Sequence, residues 1–210
     1  MSSAETFVPR KGENIASPKR NHLLDAGRAA FSELGFYSAT VDQIAERAGV
    51  AKGTVYLYFR SKQELYFAIV EHDLEELYAE TVQEMAKCET AFDRIRAYMR
   101  VRCEFAKSRQ DFLRLLATES GTLVSVDEKF KDLIAITYPE RSRALLKDVL
   151  EDAIKRGEMR ELEVDAAARL LYDLSFGMVR RRLTNDPDLN LEDELNVVLD
   201  VLRNGMAGTR

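Results

Sequence analysis

Residues 40–65 read TVDQIAERAGVAKGTVYLYFRSKQEL. Thr40 is a good N-cap, and Val41, Ile44, Ala45 and Ala48 then recur on one helix face. Gly49 supplies the left-handed backbone that ends a helix without steric cost. A third short helix is predicted from about Ala51, and S-K-Q-E at 61–64 has the capping-box spacing that opens a fourth. A helix of about eight residues, a tight turn at Gly49–Val50 and a second short helix make a helix-turn-helix.

The second helix of that pair has two distinct faces. At about 100° per residue, Val55 and Phe59 fall roughly 40° apart and form an inward stripe. Gly53 lies opposite, with Lys52 and Thr54 to either side. Without a Cβ, Gly53 lets the backbone approach another surface closely. A lysine, a hydroxyl and the phenols of Tyr56 and Tyr58 around that gap suit phosphate and base-edge contact in a major groove. Lys62, in the first turn of the next helix, adds a cation beside amide donors that favour an anion. Singly, each residue has a plainer reading: the tyrosines as half-buried packing, Lys52 as a solvated charge. As a set at this spacing they fit the helix that enters the groove. Leu57 faces outward, and either meets a thymine methyl or packs against the first helix.

Upstream, Leu23, Leu24, Gly27, Ala30, Phe31 and Leu34 recur at three- and four-residue steps from Pro18, and Gly35 closes the run. Residues 1–17 lack periodicity and are expected to be a disordered arm. Arg10, Lys11, Lys19 and Arg20 are solvated or touch phosphates. Downstream, helices are predicted to about Met85 and over roughly Ala91–Lys107, Gln110–Ser120, Glu128–Arg156, Val164–Arg182 and Leu191–Arg203. No stretch alternates with period two for long enough to make a strand. The fold class is all-α.

Composition is that of an ordinary globular protein: 210 residues, 46% hydrophobic and 32% charged. The net charge of −5 conceals an asymmetry. Residues 1–62 hold 9 Lys/Arg and 6 Asp/Glu, a net of +3, while residues 63–210 hold 22 and 30, a net of −8. A basic first third suits an anionic partner. No apolar run reaches the roughly 18 residues of a membrane span, and no signal core opens the chain, so a cytoplasmic location and no membrane partner are expected. Cys88 and Cys103 form neither a disulfide framework nor a metal-ligand pattern, and each is read as a small core residue or an inert thiol.

The stretch 40–65, with F-x-E-L-G-F-x-x-A-T at 31–40, resembles the DNA-binding signature of the TetR (tetracycline-repressor) family of bacterial transcription regulators. The resemblance is dense over about residues 20–68 and elsewhere extends only to length and helical character. It implies a helix-turn-helix DNA-binding domain at 18–64, followed at 65–210 by a larger helical domain for ligand binding and dimerisation. By that resemblance Thr40 caps the second helix and touches a phosphate. Lys52, Gly53 and Thr54 approach base edges, and Tyr56, Tyr58 and Lys62 grip the DNA backbone. Ala51 departs from the family, which often has a capping serine there.

The family binds operator DNA as homodimers joined through the last two helices. Here Leu171, Leu174 and Met178, with Val164, Ala167 and Ala168, share one face. Leu195, Val198, Leu199 and Leu202, with Leu191, share another. These stripes either pair with their copies as a four-helix bundle, the expected dimer interface, or complete the core of one chain. A two-fold dimer implies a palindromic operator. The family also encloses a small-molecule effector. Tyr98, Arg102, Phe105 and Phe112 lie on the corresponding helices, as do Leu116, Tyr138, Tyr172 and Phe176; they line a pocket for a lipophilic or aromatic ligand or form ordinary core.

Catalysis is not expected. His22 and His72 lie apart, E-H-D-L-E-E at 71–76 is not H-E-x-x-H, and no base–nucleophile set or Gly-rich phosphate loop occurs. No cofactor and no metal is implied. The rival reading is a helical adaptor for protein partners, which would not need Gly53 opposite an apolar stripe with Lys62 beyond it.

Overall fold

A computed structural model describes residues 18–113, 128–183 and 190–205. The arm at 1–17, most of the 110–120 helix and the 184–189 part of the last turn lie outside the described residues. Every described element is helical, and the chain divides into two compact units, Met1–Val70 and Glu71–Arg210.

In the first unit α1 (Pro18–Ser38) breaks at Gly35, whose φ of 80° only glycine adopts cheaply. Thr40 caps α2 (Val41–Arg47) in a capping box. Its hydroxyl accepts from the Gln43 amide at 3.3 Å, and its own amide donates to the Gln43 side chain at 2.9 Å. At the far end Gly49 has φ 62°; its amide donates to Glu46 and that of Val50 to Ala45, both at 3.0 Å. α3 (Lys52–Tyr58) follows. α4 (Lys62–Ala86) then begins with the Glu64 amide on the Ser61 hydroxyl at 3.0 Å and the Arg60 amide on the Glu64 carboxylate at 2.6 Å.

The core of this unit is aromatic. Phe31, Phe36 and Tyr66 meet with ring centroids 5.7, 5.4 and 5.2 Å apart, Tyr66 standing edge-on to both phenylalanines. Beside them α1 and the first turns of α4 approach closely at Gly27. A Cβ added there would lie 3.0 Å from Ile69 Cδ1 and 3.3 Å from Leu65 Cδ2.

In the second unit α5 (Ala91–Ser108) is capped by Thr90 and packs on α7 (Tyr138–Lys155), α8 (Val164–Leu183) and α9 (Leu191–Asn204). Tyr98, Met99, Leu146, Ala153, Met178 and Leu195 are buried at the centre of that cluster. Leu77 of α4 joins Val101, Phe105 and Tyr138 in a second cluster. Cys103 is buried in the first cluster and Cys88 packs partly buried against it; burial pushes the Cys103 thiol pKa up.

Two expectations need correction. The single helix predicted over Glu128–Arg156 is α6 (Glu128–Asp132), a π-helical turn at Leu133–Thr137, and α7. Pro139 explains the break. It has no amide to donate, and its ring would clash with the carbonyl four residues back in a regular helix. The chain widens there instead, and the Tyr138 amide reaches back to Leu133.

The second correction concerns the dimer stripes. Leu171, Met178 and Leu195 are sealed in the core of their own chain, and Leu174, Val198, Leu199 and Leu202 lie partly buried against it. The large apolar side chains that α8 and α9 present outward are others: Leu170 and Val197, each 63% exposed, with Phe176 and Val201. The regular apolar stripe was the inner face of each helix.

Gly27, packed in the interior, and Gly53, open on the surface, are opposite in kind, and stability measurements should separate them. Gly27→Val drives methyl groups into Ile69 and Leu65 and is expected to cost about 1–3 kcal/mol by urea unfolding. A Cβ at Gly53 meets nothing within 4 Å. Gly53→Ala is expected to stabilise by roughly 0.5–1 kcal/mol.

Candidate functional site

α3 is short, and no side chain caps it: Ala51 makes no cap hydrogen bond, leaving the Thr54 amide on the Ala51 carbonyl at 2.8 Å. Its hold on the unit comes from Val55 and from Phe59, which ends the helix; both are almost fully buried. The Arg20 guanidinium lies 5.5 Å from the Phe59 ring centroid. His22 of α1, with its proton on Nε2, donates to the Ala48 carbonyl at 3.1 Å and ties α1 to the turn. The helix-turn-helix pair is thus clamped from behind.

Its outer face carries the residues singled out from the sequence. Lys52, Gly53 and Tyr56 are exposed, and Thr54 and Tyr58 half-buried. Leu57 is 83% exposed, so it does not pack against α1. Lys52 Nζ donates to Asp42 Oδ2 at 2.7 Å, and that hydrogen bond holds the ammonium above its ordinary pKa.

Lys62 is bonded within the unit as well as standing in the first turn of α4. Its ammonium donates to the carbonyls of Ala39 at 2.8 Å and Tyr37 at 3.1 Å, and lies 4.7 Å from the Phe36 ring centroid. It secures the end of α1 directly ahead of Thr40. Tyr37, at that same corner, is an exposed aromatic that the sequence reading passed over. Its signal was the departure from the apolar spacing of α1.

In the second unit the residues proposed for an effector part company. Tyr98, Arg102 and Tyr138 are buried and meet Tyr172, which is half-buried, around the Arg102 guanidinium. Phe105 belongs to the cluster with Leu77 and Val101, and Phe112 is buried. Leu116 lies outside the described residues. Phe176 is 55% exposed and is not an interior residue. The buried arc of α8 runs through Ala168, Leu171, Ser175 and Met178, and Phe176 is turned about 100° past Ser175.

Among the described residues no group of His, Cys, Asp and Glu is placed to hold a metal ion, and no helix is long and apolar enough to cross a membrane.

Residues 23–69 match the family model described as bacterial regulatory proteins, tetR family. The fatty acid metabolism regulator protein of Bacillus subtilis is 23% identical over 193 residues, spanning 90% of this chain and 96% of that one. The HTH-type transcriptional regulator RutR of Escherichia coli is 30% identical over 138 residues, 65% of each chain. Among solved structures, FadR from Bacillus subtilis in complex with stearoyl-CoA superposes with a TM-score of 0.73 at 22% identity, covering 89% of this chain and 99% of that one. These relatives are regulators rather than enzymes. Residues 23–69 thus carry the helix-turn-helix domain of the tetR family of bacterial regulatory proteins, and the relatives that match beyond it are regulators of transcription.

Proposed function

We propose that this protein is a ligand-responsive repressor that binds a palindromic operator as a homodimer and is released by a small apolar effector. The observation that carries the DNA-binding footprint is the outer face of α3. Gly53 is open, Lys52, Thr54 and Tyr56 surround it, and Val55 and Phe59 are locked behind it. On this footprint Lys52, Gly53 and Thr54 approach base edges, with Leu57 against a thymine methyl. Thr40, Tyr56 and Tyr58 contact phosphates. Lys62 serves the same surface by fixing the Tyr37–Thr40 corner.

The dimer is assigned to the outward faces of α8 and α9, where Leu170 and Val197 are 63% exposed and Val201 is 37% exposed. Apolar side chains grouped on terminal helices suit a self-complementary contact. An apolar effector is supported by the aromatic interior around Tyr98, Phe105 and Tyr138 and by the likeness to the Bacillus subtilis fatty acid regulator. Release then requires an effector that prefers a conformation with poorly placed DNA-binding units.

Gel-shift and salt titration on DNA flanking the gene test the DNA footprint. Binding is expected near 10 nM or tighter and should weaken steeply with salt. Lys52→Ala should weaken the operator about tenfold and relax base preference, whereas Tyr56→Ala weakens all sequences alike. Gly53→Ala should weaken binding although it stabilises the helix. Binding indifferent to salt and sequence would remove the regulator reading in favour of a protein adaptor. For the dimer, Leu170→Asp with Val197→Asp should shift the sedimenting species from two chains to one with the circular dichroism unchanged.

A further inference from the structure

One charged side chain in the second unit is left incompletely answered by its neighbours. Arg102 on α5 is only 5% exposed. The ring centroids of Tyr98, Tyr172 and Tyr138 stand 5.1, 5.3 and 5.5 Å from its guanidinium carbon. Nη1 donates to the Tyr138 hydroxyl at 2.9 Å. Nε, equally buried, has no hydrogen-bond partner, and neither does the hydroxyl of Tyr98. Among the described residues no carboxylate pairs with Arg102.

A guanidinium cannot shed its charge, so burial leaves it needing an anion. The phenols of Tyr98 and Tyr172 do not become one. Burial pushes the Tyr98 pKa up to about 12 and raises that of Tyr172, so both stay neutral. Ring faces and the hydroxyls of Tyr138 and Tyr172 offset part of the desolvation cost, but they leave Nε unused. A caged cation with a free N–H, and the unpaired Tyr98 hydroxyl in the same cluster, is the arrangement of a receptor for an acidic group.

We propose that Arg102 and its tyrosines form the head-group site of the effector, and that the effector is an acid: a carboxylate on an apolar or aromatic body. The inference rests on the reading of this unit as effector-binding. A carboxylate accepts from the guanidinium fork in two parallel bonds and from the Tyr98 hydroxyl in a third. The ring faces then cover the first carbons of the apolar body. Tyr138, which now occupies Nη1, is the first residue after the π-helical turn at Leu133–Thr137. Such turns carry a surplus residue that a change of register can release, and they recur at functional sites. A shift there moves the phenol that the carboxylate replaces.

Matched probes on the full-length protein test this. Calorimetric titration and thermal shift compare decanoate with 1-decanol and methyl decanoate, and 4-phenylbutyrate with 4-phenylbutanol. In at least one series the acid is expected to bind at least about tenfold tighter than its neutral counterparts, as a charge-assisted bond to a buried partner implies. In Arg102→Met that preference should fall to about onefold. The melting temperature of the ligand-free variant should hold or rise, because an unanswered charge has left the interior; an arginine kept for packing would lower it. Arg102→Lys, which keeps the charge but loses the fork, should retain only part of the preference. Should Arg102→Met not fold, the wild-type series and Arg102→Lys decide. Equal binding of acid and alcohol, failure of both acids to bind, or a preference that survives Arg102→Met would overturn the proposal. A parallel gel shift separates the failures: intact operator binding without acid preference sinks this inference alone, and lost operator binding sinks the regulator reading.

Discussion

A seven-residue helix without a side-chain cap does not hold itself together in water. α3 exists because Val55 and Phe59 are buried behind it, and every outward feature of the first unit depends on that anchorage. It turns Gly53 to open space, sets Lys52 and Thr54 beside it, and leaves Leu57 uncovered. The bond from His22 to the Ala48 carbonyl fixes the turn that feeds the helix. A rigid platform with a small, polar outer face follows from two buried apolar residues four positions apart. Missing the serine at position 51 is tolerable because burial, not capping, supplies the stability.

The helix-turn-helix was legible because its punctuation is local. Thr40, Gly49 and the Ser61–Glu64 pair act on backbone groups within a few residues, and all three make the bonds their spacing implies. Lys62 was not legible, because the carbonyls it holds lie 25 and 23 positions earlier in the chain. The same holds for Asp42, whose bond to Lys52 spans two helices. In the second unit the stripes on α8 and α9 were read correctly as apolar faces, but periodicity gives a face and not its partner. Leu171, Met178 and Leu195 turned out to face their own chain. Phe176 was named for the pocket because of the helix it lies on, yet it lies beyond the buried arc of that helix. Pro139 was in plain view and would have located the break ahead of α7.

The two units solve opposite electrostatic problems. The first keeps its cations at the surface, paired loosely or bonded to carbonyls, where an anion can compete for them. The second places a cation inside, among the rings of three tyrosines. A solvated lysine costs little to keep and gains little from any single contact. A buried arginine is expensive to keep, which makes its retention informative about what it meets.

The Lys52–Asp42 pair has a consequence for discrimination on the proposed footprint. Asp42 acts as a resident counter-ion, occupying the lysine whenever the groove is empty. A passing phosphate offers the lysine only one anion in exchange for another. A guanine edge with two acceptors offers more, and Asp42 is then left to water at little cost because it is exposed. An acidic residue on a DNA-facing surface therefore need not weaken recognition. It filters out sequences that have nothing better than charge to give.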